Sequence, residues 1–164
     1  MRPSRRVPFC WGFDEADALI KKTACENEAC QRLVAIPGIG PVTATAVIAA
    51  IGNGGAFRKG REFAAWMGVV PREHSTGGKQ KLLGISKRGN SYLRRLFVQG
   101  ARAVMQQRTK QSSGPSAWLA QLTSRSHRNV AGVALANKMA RMAWAVLAKN
   151  EQYRPPVLDD VAAA

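Results

Sequence analysis

The stretch Leu33 to Gly52, Leu-Val-Ala-Ile-Pro-Gly-Ile-Gly-Pro-Val-Thr-Ala-Thr-Ala-Val-Ile-Ala-Ala-Ile-Gly, constrains the fold more than any other part of the chain. Pro37 drives Ile36 out of the α region, Gly38 and Gly40 permit positive φ and carry no Cβ, and Pro41 suits the first turn of a new helix. The stretch therefore predicts two short helices joined by a tight turn whose amides face outward. Amides so placed, backed by the positive end of the second helix, form a seat for a phosphate oxygen, with Gly38 and Gly40 as its contact residues. This is the helix-hairpin-helix pattern, which grips nucleic-acid backbone without reading bases. The competing reading is an αα-hairpin whose glycines serve packing alone.

Charge separates these readings. The chain carries 25 Lys and Arg against 10 Asp and Glu, a net +15 over 164 residues, which implies an anionic partner. The excess is local: residues 1–57 hold six Lys or Arg and five acids, whereas residues 58–110 hold thirteen Lys or Arg and only Glu62 and Glu73 as acids. A block this one-sided calls for counter-charge from outside the chain, and DNA or RNA fits better than a membrane surface. No apolar run reaches the roughly 18 to 20 residues that span a bilayer, and the basic start is not followed by the apolar core of a signal peptide. The expectation is a cytoplasmic, nucleoid-associated protein. Cys10, Cys25 and Cys30 form neither an even framework nor a Cys-x-x-Cys pair, so each reads as a reduced, partly buried residue.

At this length, with 46% hydrophobic residues, one mainly α domain is expected over residues 14–150, with about six helices, a flexible leader over 1–13 and a disordered tail over 151–164. The first helix starts at Asp14, with Asp14, Glu15 and Asp17 in its first turn, and runs into the hairpin. A basic helix from about Lys59 to Met67 points Phe63, Trp66 and Met67 inward. Gly68 to Gly89 has neither helical period nor clean alternation; it predicts a small β-ribbon or irregular loop around the Gly77-Gly78 turn, displaying Lys79, Lys81, Lys87 and Arg88. From Asn90, an N-cap, to about Gln107, the spacing of Leu93, Leu96, Phe97, Gly100 and Val104 marks an amphipathic helix. Arg88, Arg95 and Arg102 recur every seven residues as one stripe along a phosphate backbone, flanked by Arg94 and Arg108. Ser112 to Pro115 break the pattern. A helix near Trp118 to Leu122 and a long one from about Arg128 to Asn150 follow, with Leu135, Met139, Met142 and Val146 on one face.

The hairpin, then Phe63 to Gly68, Pro71-Arg-Glu-His-Ser-Thr-Gly-Gly-Lys, Gly84-Ile-Ser-Lys-Arg-Gly-Asn and Tyr92-Leu-Arg-Arg-Leu resemble, in order and spacing, the C-terminal domain of one transposase family. It is the one-ten insertion-sequence family, relatives of the Piv DNA invertases, some of which are guided by a bridge RNA. The resemblance covers roughly Leu19 to Lys149. It implies a part in DNA transposition and recombination, with DNA and in some members a guide RNA as partners, and homo-oligomers in the active state. Complete members carry an N-terminal RuvC-like domain with an Asp-Glu-Asp-Asp site for Mg ions and a coiled-coil connector. The domain resembled here supplies a serine that attacks DNA.

That serine falls at Ser75 counting back from Ile85-Ser86-Lys87, and at Thr76 counting from Pro71; Ser75 is the assignment, Thr76 the alternative. Attack on a phosphodiester conserves bond energy in a phosphoseryl link and needs charge neutralisation, here expected from Lys79, Lys81 and Arg88, and proton removal. His74 is a poor base, because neighbours on an extended segment point to opposite faces. A two-metal site needs several carboxylates within about 4 Å of a shared pair of ions, and residues 58–150 hold only Glu62 and Glu73. The expectation is a truncated or excised domain that requires a RuvC-like half in cis or in trans and holds no metal itself. The alternatives are a non-catalytic helix-hairpin-helix module and a basic protein of structured RNA.

Overall fold

The computed structural model of the chain describes residues 11–110 and 117–154. Its order is α1 (Trp11–Glu26), α2 (Glu28–Val34), α3 (Pro41–Ile51), α4 (Gly60–Met67), β1 (Pro71–Glu73), β2 (Leu82–Ile85), α5 (Ser91–Lys110), α6 (Ala117–Arg125) and α7 (Arg128–Ala148). The mainly α expectation holds, with seven helices among the described residues in place of about six. The extra one arises at Asn27, whose extended backbone ends α1 and whose side chain accepts from the Cys30 amide to start α2. Gln31 crosses the break and donates to the Cys25 carbonyl. A side chain that satisfies an orphan amide makes a new helix start cheaper than continuing the old one.

α5 and α7 form the most extensive helix pair, α4 packs on α7, and α1 to α3 form a group that meets α7 through α2 and α5 through α3. Leu93, Phe97, Ala101, Val104 and Met105 of α5 face Leu135, Ala136, Met139, Ala140 and Ala143 of α7 within one buried cluster. Small residues on α7 let the two helices approach closely. α5 begins where Asn90 predicted: its Oδ1 accepts from the amides of Tyr92 and Leu93, both at 3.0 Å. α7 is capped by His127, whose Nδ1 accepts from the Asn129 amide.

Several expectations are corrected. α1 starts at Trp11, inside the segment read as leader, so only Asp14 of the three acids lies in its first turn. Trp66 is 37% exposed; its ring sits at the margin of the core, 5.6 Å from Phe57 and 6.1 Å from Phe63, while Phe63 and Met67 are buried. Tyr153 packs against the core, within the segment read as tail. Cys30 is buried, and the loss of water raises its thiol pKa; Cys25 is exposed. α7 is long and apolar enough, by length and composition, to cross a membrane, although half of that window is buried inside the fold. Cys10, Ser112 to Pro115, and the leader and tail outside 11–154 lie beyond the described residues.

Candidate nucleic-acid interface

The segment after α4 leaves the core as a hairpin. Val69 is buried, the Ser86 amide donates to the Val70 carbonyl and the Lys87 amide to the Gly68 carbonyl, so the base is fastened on both sides. Beyond it, every residue from Pro71 to Gly84 is exposed. Gly77 and Gly78 have φ of +58° and +76°, the two positive values that a type I′ turn demands, and Thr76 pairs with Lys79 across it. The predicted ribbon around Gly77-Gly78 is therefore present. Its register follows: the His74 amide donates to the Lys81 carbonyl, and Glu73 pairs with Leu82. Pro71 pairs with Ile85, so β2 carries one extra residue, a bulge between Leu82 and Ile85.

Register decides which side chains share a face, because partners across an antiparallel pair point the same way and neighbours along a strand point oppositely. Glu73, Ser75, Gln80 and Leu82 occupy one face; Arg72, His74, Thr76, Lys79, Lys81 and Leu83 occupy the other. Ser75 Oγ donates to Glu73 Oε1 at 2.5 Å, as same-face neighbours two apart can. Lys79 and Lys81, expected to neutralise charge for the attack by Ser75, stand on the opposite face of the ribbon, with Thr76. The sequence reading did not pair Glu73 with Ser75, although the Glu-x-Ser spacing on an extended segment carries the signal.

The basic stripe is also revised. Arg95 and Arg102 are exposed on one face of α5, but Arg88 precedes that helix and belongs to the loop that enters it, so a helical period does not place it. Arg94 leaves the set: it is half-buried, and its Nη1 donates to the carbonyls of Met67 at 3.0 Å and Arg88 at 3.2 Å, tying the end of α4 to the loop before α5. Lys87 and Arg88 are exposed, and Lys87 has a φ of +56°. The side chain of Arg108 lies outside the described residues. The ion pairs among the described residues are Lys22 with Glu26 and Arg32 with Glu28, so no cation from Arg58 to Arg102 is neutralised by one.

The turn between α2 and α3 divides its two glycines. Gly38, with φ of +87°, lies so close to α5 and α7 that a Cβ would sit 2.7 Å from Met139 Cε and 2.8 Å from both the Gly100 carbonyl oxygen and Val104 Cγ2. Packing alone accounts for the lack of a side chain there. Gly40 has nothing within 4 Å of a built Cβ and forms the N-cap of α3 with no side-chain cap, ahead of Pro41. Among the described residues, the Gly40 and Val42 amides have no acceptor. Replacing Gly38 by Ala is expected to cost roughly 3 kcal/mol in chemical denaturation, from strained φ and overpacking together. Gly40→Ala should cost less than about 1 kcal/mol. If the amides seat phosphate, Gly40→Ala should nevertheless weaken DNA binding.

Among the described residues no three His, Cys, Asp or Glu side chains come together as a metal site. A family model described as Transposase IS116/IS110/IS902 family matches residues 30–116. The chain is 54% identical over 125 residues to a Pseudomonas aeruginosa protein named "Probable family 20 transposase", covering 76% of this chain and 37% of that one. It is 47% identical over 135 residues to the transposase for insertion sequence element IS1111A of Coxiella burnetii, covering 82% of this chain and 37% of that one. It is 45% identical over 138 residues to the transposase for insertion sequence element IS1328 of Yersinia enterocolitica, covering 84% and 41%. The chain thus spans well under half the length of these curated relatives.

Proposed function

The chain belongs to the IS116/IS110/IS902 family of transposases, and on that premise we propose that it is the part of an insertion-sequence transposase that holds DNA and presents the attacking hydroxyl. The observation that carries this reading is the ribbon: a fastened base, a fully exposed end, and a Ser75 hydroxyl already bonded to the Glu73 carboxylate. In the reaction, Ser75 Oγ bonds to phosphorus as the bond from phosphorus to the departing sugar oxygen breaks. Glu73 takes the Ser75 proton, and the departing oxygen takes one from water. The phosphoseryl diester keeps the energy of the broken bond, so an incoming sugar hydroxyl can reverse the step and free Ser75. Thr76 is the second reading, favoured by its pairing with Lys79 on the cationic face, where charge developing on the phosphate would be stabilised.

Among the described residues no cluster of carboxylates fits a two-metal centre. In this proposal the carboxylates and their Mg ions belong to a RuvC-like domain supplied in cis or in trans, and the active assembly contains more than one copy of the chain. We assign α2, the turn and α3 as a helix-hairpin-helix contact to DNA backbone, through Gly40 and not Gly38. Lys79, Lys81, Lys87, Arg88, Arg95 and Arg102 supply further phosphate contacts, to DNA or to a guide RNA.

Affinity for duplex DNA should fall steeply with salt and depend little on sequence, since the contacts are cation to phosphate. Replacing Arg88, Arg95 and Arg102 together by Ala should flatten the plot of log affinity against log salt by up to about three units. An unchanged slope would assign those residues to the fold or to a protein partner.

A further inference from the structure

The face of α7 turned away from the core, the base of the ribbon and Trp118 of α6 line an open-mouthed cavity of about 600 Å³. Its walls are mostly apolar, with Val130 and Leu83 left 57% and 40% exposed at its edge. The polar groups lining it are the amides of Asn129 and Asn137 and the cations Lys138 and Arg141, with no acid. Lys138 Nζ stands 4.6 Å from the centre of the Trp118 ring. Arg141 also borders a second, more open cleft, where Lys59, Arg61 and Lys149 surround Trp144. α7 contains no Asp or Glu, and among the described residues none of these five cations is in an ion pair.

We propose that this face binds an unpaired nucleotide, with its base in the cavity and the flanking phosphates on Lys138, Arg141 and the cleft of Lys59, Arg61 and Lys149. The proposal rests on the nucleic-acid reading above but adds a site separate from the ribbon tip and from α5. The chemistry of the lining selects the ligand. Apolar walls take the flat faces of a heterocycle, the two amides bond its edge, and the volume lies within the roughly 300 to 1,000 Å³ of small-ligand sites. A base inside a duplex is stacked on both faces and cannot enter, so the occupant is single-stranded or extruded from its helix. A protein segment suited to the apolar cavity would leave the adjoining cations without counter-charge.

The test uses the full chain and single strands of roughly ten nucleotides, DNA and RNA in separate arms, each carrying one 5-iodouracil. Irradiation should attach the label to the peptide containing Trp118; labelling in one arm assigns the sugar, and in both it shows indifference to the 2′-hydroxyl. Val133→Trp, which fills the cavity, should weaken single-strand binding about tenfold and leave duplex affinity within about twofold. The pair Asn137→Ala and Lys138→Ala gives the same result by removing polar contacts without adding bulk. Labelling elsewhere, unchanged single-strand affinity in both variants, or a changed oligomeric state in Val133→Trp would overturn the proposal, the last by showing that a second copy occupies the cavity. Failure of the unsubstituted chain to bind duplex as well would overturn the nucleic-acid reading itself.

Discussion

Ser75→Ala should abolish a covalent protein–DNA adduct that survives denaturation, formed when the chain is supplied with a RuvC-like domain and DNA bearing the ends of the element. The adduct requires an oxygen nucleophile at that position, and Ala has none, so the expected loss is complete. DNA affinity should stay nearly intact, because one neutral hydroxyl contributes little beside many charge-assisted phosphate contacts. Thr76→Ala should be milder. Reversal of the two phenotypes would move the attack to Thr76, the secondary alcohol that pairs with Lys79 on the cationic face of the ribbon. Gel separation under denaturing conditions reads the adduct, and a filter or polarisation assay reads affinity on the same samples.

Glu73→Gln is the second large effect. The Glu73 carboxylate accepts the Ser75 hydroxyl, so removing its basicity while keeping its shape should slow adduct formation by about 100- to 10,000-fold, the range of a positioned general base. Binding should be unchanged or slightly stronger, since a negative charge has left a cationic ribbon. Single-turnover kinetics at saturating DNA separate the two quantities. Raising the pH should partly rescue the variant if hydroxide replaces the missing base. If Glu73→Gln reacts at the normal rate while Thr76→Ala does not react, the bond from Ser75 to Glu73 is a resting contact, and Thr76 takes its proton partner from elsewhere.

Local chemistry was readable where a few neighbouring residues decide the outcome. Gly77-Gly78 specified the turn because two consecutive positive φ values exclude nearly every other pair, and Asn90 specified the start of α5 because its side chain reaches amides two and three residues on. The split of the ribbon into two faces was latent in the same two glycines: a two-residue turn fixes the register, and the register fixes which residues stand with Ser75. What could not be read depended on partners far along the chain. Gly38 looks like a glycine kept for phosphate contact until Gly100, Val104 and Met139 are found where its Cβ would stand. Arg94 looks like a phosphate ligand until the free carbonyl of Met67, left at the end of α4, takes its guanidinium. The heptad of Arg88, Arg95 and Arg102 failed for a related reason, since spacing has meaning only within a helix, and Asn90 starts the helix after Arg88. The cations of the α7 cleft are scattered from Lys59 to Lys149, and only the packing of α4 on α7 assembles them.

The central claim is that the ribbon presents the nucleophile and another domain presents the metals. The most direct measurement is to trap the adduct, digest both protein and DNA, and identify by mass spectrometry the residue that retains a nucleotide. A single modified peptide is expected, with phosphodiester-linked Ser75, appearing only when the RuvC-like domain is present. A nucleotide retained outside residues 73–76, or an adduct formed by this chain alone, would contradict it.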